Sequence, residues 1–312
     1  MKLAFVFPGQ GSQSVGMMSA YGELAPIAET LAEADQALGE PLSQLMAQGP
    51  AELLNQTRNT QPAMLAADVA LWRAWVRAGG LRPALVAGHS LGEYAALVAA
   101  GALDFPAAMR LVAARAEAMQ AAVPAGAGAM AAVLGLELAT LEAVCAEAAQ
   151  GEVVSCCNLN APGQIVIGGH RGAVERAAAL AKARGAKRVV PIMMSVPSHC
   201  DLMRPAAEAL EPMLARTAFR PPAMAVIHNA TVEVASDVDA IRRVLAVQLY
   251  RPVRWIETIE AMAAQGVTHV VECGPGKVLA AMVKRIAPHL EVFTLSDRAA
   301  FDAALTSLKG LA

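Results

Sequence analysis

A chain of 312 residues, 56% hydrophobic but only 4% aromatic, can bury a large core of Ala, Val, Leu, Ile and Met and is not disordered. Its length suits one large α/β domain, or one carrying a smaller inserted domain. A net charge of −2 gives no electrostatic case for nucleic acid or an acidic membrane as the main partner.

Lys2 to Phe7 reads as a buried strand that ends in the tight loop Pro8-Gly9-Gln10-Gly11. This apolar run is too short for a signal peptide. Helical stretches follow to about Gly80. Pro83 to Ala87 reads as a second buried strand, Glu93 to Ala100 as a helix closed by Gly101, and Phe105 to Ala122 as another helix. Pro124-Ala125-Gly126-Ala127-Gly128 is the most linker-like segment. The stretch around Ala121 to Leu136 is Gly/Ala-rich with a proline and falls short of the roughly 18 apolar residues of a membrane span.

After the linker the pattern changes. Ala129 to Leu134 reads as a strand and Leu138 to Ala149 as a helix. Val153 to Asn158 and Gln164 to Ile167 form a hairpin across Asn160-Ala161-Pro162-Gly163. Gly172 to Arg184 reads as a helix and Arg188 to Met193 as a strand. The order βαββαβ is the ferredoxin-like arrangement, so residues 127–196 are expected to be a small domain inserted between 1–126 and 197–312. The chain then returns to alternation: helix Met203 to Leu214 despite Pro205 and Pro212, strand Ala223 to Ile227, helix Asp239 to Leu249, strand Val267 to Glu272, a helix to about Ile286 and strand Glu291 to Leu295. Buried strands alternating with helices imply a mainly parallel sheet covered on both faces. Gln10, Ser90 and the Gly274-Pro275-Gly276 loop all fall at carboxyl ends of strands, where such sheets carry their sites.

Between the second strand and its helix lies Gly88-His89-Ser90-Leu91-Gly92. Strand, Gly-x-Ser-x-Gly, helix is the nucleophile elbow of α/β-hydrolase-like folds. The glycines are expected where strand and helix approach too closely for side chains. The N–H of Leu91 sits at a helix N-terminus, which favours negative charge, so an oxyanion formed at Ser90 would land there. An incidental serine in a Gly-rich turn is the plain alternative.

A serine nucleophile needs a base. His89 is adjacent and points elsewhere on an elbow, so a packing role suits it. His199, in Val196-Pro197-Ser198-His199-Cys200, lies in a loop re-entering the large domain, where base and helix-capping or surface roles both stand open. His170 and His289 read as turn or surface residues; His228 and His269 have no obvious partner. No Asp or Glu stands out at a strand end between Ser90 and His199, so a backbone carbonyl or an amide side chain is expected to orient the imidazole. Five cysteines without a C-x-x-C pair fit a reducing cytosol, with Cys156 and Cys157 packing on opposite strand faces. Six scattered histidines show no metal-ligand spacing, and no metal is expected.

Phe7-Pro8-Gly9-Gln10-Gly11-Ser12-Gln13, Gly88-His89-Ser90-Leu91-Gly92-Glu93, Ala114-Arg115-Ala116-Glu117, Pro197-Ser198-His199, Gln248-Leu249-Tyr250-Arg251-Pro252-Val253 and Glu272-Cys273-Gly274-Pro275-Gly276-Lys277 occur in one order over nearly the whole chain. Together they closely resemble the malonyl-CoA:acyl-carrier-protein transacylases of fatty acid synthesis, a family that also carries an inserted ferredoxin-like subdomain. The resemblance implies Ser90 as nucleophile, His199 as base and Gln248 as the source of the group that orients it. It further implies the Gln10 and Leu91 amides as oxyanion hole and Arg115 as binder of the malonyl carboxylate. Asn160 matches a family stretch near the cleft, with shaping of the hairpin turn as its plain alternative. The plain reading of Arg115 is a solvated arginine; on so apolar a helix a buried one needs an anionic partner.

The resemblance implies malonyl-CoA and an acidic, phosphopantetheinylated acyl carrier protein as partners, no cofactor beyond the coenzyme A thioester substrate and a cytoplasmic location; the oligomeric state stays open, a monomer being one option. Lys187, Arg188, Lys284 and Arg285 are candidate docking charges. A serine esterase or thioesterase, an acyltransferase loading a polyketide carrier, and a non-catalytic docking module are the alternatives. An acid partner for His199 would favour the first; intact Ser90, His199 and Arg115 argue against the last.

Overall fold

The computed structural model describes residues 1–192 and 196–311. The first part of the chain forms β1 (Leu3–Phe7), α1 (Ala25–Leu38), α2 (Leu42–Gln48), α3 (Ala51–Leu54), α4 (Thr57–Arg77), β2 (Leu85–Gly88), α5 (Gly92–Ala99) and α6 (Phe105–Ala122). The middle forms β3 (Gly128–Leu134), α7 (Leu138–Ala149), β4 (Val154–Ala161), β5 (Gln164–His170), α8 (Arg171–Ala183) and β6 (Arg188–Ile192). The last part forms α9 (Arg204–Arg216), β7 (Ala225–Ile227), α10 (Val238–Gln248), α11 (Trp255–Ala264), β8 (His269–Glu272), α12 (Val278–Ile286), β9 (Glu291–Thr294) and α13 (Arg298–Lys309). The helices α11 and α13 lie in stretches that the sequence patterns leave unassigned. Met193, the expected end of the β6 strand, lies outside the described residues.

Five strands pair in the order β7-β2-β1-β8-β9, every pairing parallel. The order starts at the middle and winds outward both ways, as in doubly wound sheets. Side chains alternate across it. Leu3, Phe5 and Phe7 of β1 enter the core shared with α4, α5 and α6, while Ala4 and Val6 enter a second core with α11 and α12. All five residues of β1 are buried, which is why the strand reads as an unbroken apolar run. The few aromatics are concentrated here: the Phe5 ring meets Trp72 and Trp75 edge-on, each with centroids 5.4 Å apart.

The other sheet runs β4-β5-β3-β6, all antiparallel. One face packs against α7 and α8, with Leu141, Val144 and Ala177 at the centre; the other carries Met130, Cys157 and Val166. Cys156 and Cys157 do point into different clusters, across a register shift that follows Cys156. The sheet is stitched to the parallel half by Leu159 N–H donating to Val253 O at 2.9 Å and Val253 N–H donating to Cys157 O at 2.9 Å. No helix among the described residues is long and apolar enough to cross a membrane.

Candidate active site

β2 ends at Gly88 and α5 begins at Gly92, so the chain reverses within three residues. A Cβ on Gly88 would lie 1.9 Å from the Gly92 carbonyl carbon, and one on Gly92 would lie 2.1 Å from Phe7 O. Only glycine fits either position. Ser90 itself has φ 53°, in the left-handed region that non-glycine residues enter only when held there. Asn229 does the holding. Its Oδ1 accepts the Ser90 N–H at 2.6 Å, and its Nδ2 donates to Gly88 O at 2.6 Å.

His199 comes from the loop after the antiparallel sheet and also has a positive φ, 63°. Its N–H donates to Leu249 O at 3.0 Å. The ring Nδ1 lies 2.8 Å from the backbone O of Gln248. A carbonyl can only accept, so Nδ1 carries the proton and Nε2 is the bare acceptor. Nε2 lies 2.7 Å from Ser90 Oγ. Sequence reasoning expects a carbonyl or an amide to orient the ring; the geometry selects the carbonyl. Burial, reinforced by the Arg115 charge, holds the imidazole pKa down to about 3, which keeps the ring neutral at neutral pH, with Nε2 unprotonated and able to accept a proton.

Arg115 projects from α6 and is among the largest fully buried side chains, 1% exposed. Nη1 donates to Gln61 Oε1 at 2.6 Å; Nη2 donates to Gln248 Oε1 at 3.0 Å and reaches Ser90 Oγ at 3.3 Å. All these acceptors are neutral. Burial demands an anionic partner, and no salt bridge among the described residues includes Arg115. Its Nε–H has no acceptor either. The guanidinium therefore has no anionic side chain in direct contact, and its Nε–H is left for an acceptor from outside the protein.

Gln10, Gln61, Ser90, Leu91, Arg115 and His199 line a chamber of about 70 Å³. A larger cleft of about 490 Å³, between the Pro8–Gln13 loop and the antiparallel sheet, shares Gln10, His89 and Asn158 with it as walls. Among the described residues, the N–H groups of Gln10 and Leu91 have no partner in the loop and cap hydrogen bonds. Asn160 lines the larger cleft and its Oδ1 lies 2.8 Å from His89 Nε2. His89, with its ring edge-on to Trp255 at 5.3 Å, is turned away from Ser90 into that wall.

Two expectations are corrected. His228 does have a partner: its Nδ1 lies 2.7 Å from Glu93 Oε1, both side chains fully buried. His269 stacks on Phe293 and lies 3.2 Å from the Glu291 carboxylate. Sequence reasoning also misses Gln61, Asn229 and Glu93 as parts of the site. Gln61 has a weak signal, a polar residue opening the apolar run of α4. Asn229 has none, because its contacts with the elbow span about 140 residues of chain.

Residues 4–294 match the family model for the acyl transferase domain. The malonyl CoA-acyl carrier protein transacylase of Salmonella typhimurium is 54% identical over 306 residues, 98% of this chain and 99% of that protein. The structure of an acyl-carrier-protein S-malonyltransferase from Burkholderia pseudomallei superposes with a TM-score of 0.96 at 52% identity, covering 98% of this chain and all of that one. A malonyl-transacylase solved in complex with its type II PKS acyl carrier protein superposes equally well, TM-score 0.96 at 48% identity, covering 98% of this chain and 100% of that one. A serine elbow, a carbonyl-oriented histidine and an unpaired buried arginine thus stand in a chain whose whole length follows the malonyl CoA-acyl carrier protein transacylases, and it belongs to that family.

Proposed function

We propose that this chain transfers the malonyl group of malonyl-CoA to the phosphopantetheine thiol of an acyl carrier protein in fatty acid synthesis. The observation that carries the reading is the juxtaposition of Arg115, buried and without an anion, with the Ser90–His199 pair. His199 Nε2 takes the Ser90 hydroxyl proton as Oγ attacks the thioester carbonyl. The Gln10 and Leu91 amides stabilise the tetrahedral oxyanion. The C–S bond breaks, the imidazolium returns its proton to the coenzyme A thiolate, and a malonyl-serine ester remains. The carrier thiol then enters the same cleft, gives its proton to His199 and attacks the ester, releasing malonyl carrier protein and free Ser90. The malonyl carboxylate lies against the guanidinium, which an acetyl group would leave unpaired. The 490 Å³ cleft is assigned to the pantetheine arm common to both thioesters.

The backbone acceptor on His199 favours this reading over a serine hydrolase, which would present an acid there. We also assign residues 127–196 to an inserted ferredoxin-like subdomain and 1–126 with 197–312 to the catalytic domain. The antiparallel order β4-β5-β3-β6 with α7 and α8 on one face supports this division. Intact mass after brief exposure to malonyl-CoA tests the mechanism. One malonyl adduct should form, vanish on adding holo carrier protein, and be absent in Ser90→Ala. An adduct that persists in Ser90→Ala, or that clears in water as fast as with carrier, overturns it.

A further inference from the structure

One fully buried carboxylate stands directly behind the elbow without touching the reacting atoms. Glu93, in the first turn of α5, is 0% exposed. Its Oε1 lies 2.7 Å from His228 Nδ1; its Oε2 accepts from Asn229 N–H at 2.9 Å and from Gln248 Nε2 at 2.9 Å. The same Gln248 amide turns its oxygen to Arg115 Nη2 at 3.0 Å. A single amide therefore joins a buried anion to a buried cation, donating to one and accepting from the other.

We propose that Glu93 is the positioning residue for acyl-group selection. Its carboxylate fixes the Gln248 amide so that Oε1 faces Arg115, and it balances the buried guanidinium without occupying the side that a substrate carboxylate needs. This proposal rests on the malonyl-transfer reading above and deepens it.

An amide has two orientations that differ only in where the donor and acceptor ends point. In the observed one, Gln248 Nε2 donates to two acceptors, Glu93 Oε2 and Ser90 O, at 2.9 and 3.0 Å. Flipping it would set Oε1 against both acceptors and the NH₂ group against the guanidinium. The carboxylate thus decides the orientation. Charge gives the second reason. A buried guanidinium with only neutral contacts is costly, and burial draws the Arg115 pKa down while the neighbouring Tyr94 and Glu93 pull it back up. Were Glu93 in direct contact, it would satisfy Arg115 and compete with malonate. One amide away, it supplies the countercharge and leaves the Nε–H without an acceptor.

A carboxylate in the first turn of a helix is also favourable for the helix itself. That purely structural role would lower transfer of every acyl group alike. The experiment therefore reads a ratio: kcat/KM for malonyl-CoA over kcat/KM for acetyl-CoA, with carrier protein as acceptor. In Glu93→Gln a donor can face the Gln248 donor, and the amide loses its anchor. The malonyl-to-acetyl ratio should fall about tenfold or more, expressed mainly in the KM for malonyl-CoA. Glu93→Asp, which keeps the charge, should restore most of the ratio even if both activities drop. Equal losses for the two thioesters in Glu93→Gln would overturn the proposal. Should that variant fail to fold, the exchange Glu93→Gln with Gln248→Glu keeps one carboxylate in the pair but moves it onto Arg115. The ratio should then fall further, and a ratio at the wild-type level would equally overturn the proposal. Failure of the underlying reading is separate, because wild type would then form no malonyl-serine adduct at all.

Discussion

The two sheets differ in what their burial leaves them free to do. The parallel sheet is packed on both faces; β1, β2 and most of β8 are buried residue by residue. Its central strands have no free face, and their carboxyl ends are where β1 delivers Gln10 and β2 delivers Ser90; the edge strand β9 has no buried residue. The antiparallel sheet packs one face against α7 and α8 and the other into a smaller cluster; its strands β4 and β5 are mostly buried, and its edge strand β6 has no buried residue. The side of that smaller cluster can serve as a wall, and Asn158, Asn160, Val166 and Ile192 line the larger cleft. Reactive groups thus come from the parallel half, where close backbone approach and helix N-termini hold them. The antiparallel half shapes access.

The largest effect expected from this contrast separates two histidines. His199→Ala removes the proposed base and should cost on the order of 10⁶ in acylation rate, as for comparable serine–histidine pairs. His89→Ala removes a ring from the wall, against Asn160 and Trp255, and should cost roughly tenfold at most by loosening it. Burst-phase acylation of both variants compares them, and a larger loss in folded His89→Ala would reverse the roles. pH sharpens the same point. Because His199 titrates near 3 when folded and near 6.5 when unfolded, the unfolded chain binds more protons between those values. This residue's contribution to stability is complete above pH 6.5 and is lost as pH falls toward 3. The acid limb of kcat/KM for acylation should accordingly lie well below pH 6. A limb at 6.5 would mean that the ring is solvated.

Stability should divide along the same line. Phe5→Ala empties a site between Trp72 and Trp75 in the fully buried core, at about 3–5 kcal/mol. Val189 on β6 is only partly buried against α7 and α8, and Val189→Ala should cost about 1 kcal/mol. Urea midpoints at unchanged m-value measure both. Equal costs would mean that β6 is as tightly packed as the centre of the parallel sheet.

The legible parts of the molecule are those with local causes. The strand β1, the elbow and the full extent of α6 follow from apolar runs, paired glycines and helical spacing, and the βαββαβ order from periodicity alone. The elbow glycines were readable because steric crowding leaves no other choice. The contacts that leave no local pattern are those decided across the fold. His228 reads as partnerless because Glu93 is 135 residues away in sequence. Arg115 reads as a cation needing an anion, but no local pattern says that the protein withholds it and offers Gln61 and Gln248 instead. The helix α11 escaped notice although its Trp255 and Ile259 are fully buried. It follows Arg251-Pro252-Val253-Arg254 without a side-chain cap, so no start signal marks it.

Arg115 ties chemistry to that withheld anion. Arg115→Ala should cost about 2–5 kcal/mol in kcat/KM for malonyl-CoA, by analogy with truncated buried charge pairs. Acetyl transfer should hold steady or rise, and Arg115→Lys should rescue only part, because an ammonium cannot form two parallel bonds to a carboxylate. An unchanged malonyl-to-acetyl ratio would make Arg115 a structural residue.

The smallest effect concerns the exposed cations at the end of α12 and the start of β6. Lys187, Arg188, Lys284 and Arg285 are all exposed, but they are not equivalent. Arg285 Nη2 donates to Pro162 O at 2.7 Å and Nη1 donates to Gln164 Oε1, so it fastens α12 to the β4–β5 hairpin, and Lys187 borders the same recess. Lys284 sits in the last turn of α12 with no such tie among the described residues. It is the cleaner probe of an acidic partner. Lys284→Glu should raise the apparent KM for carrier protein by roughly threefold to tenfold at low salt and leave that for malonyl-CoA unchanged, since a rim charge acts on encounter. The difference should fade as ionic strength shortens the screening length. Arg285→Glu should disturb both substrates, because releasing the hairpin moves the wall that carries Asn160. If Lys284→Glu raised both KM values equally, or its effect ignored salt, Lys284 would lie off the docking face and the wall alone would govern access.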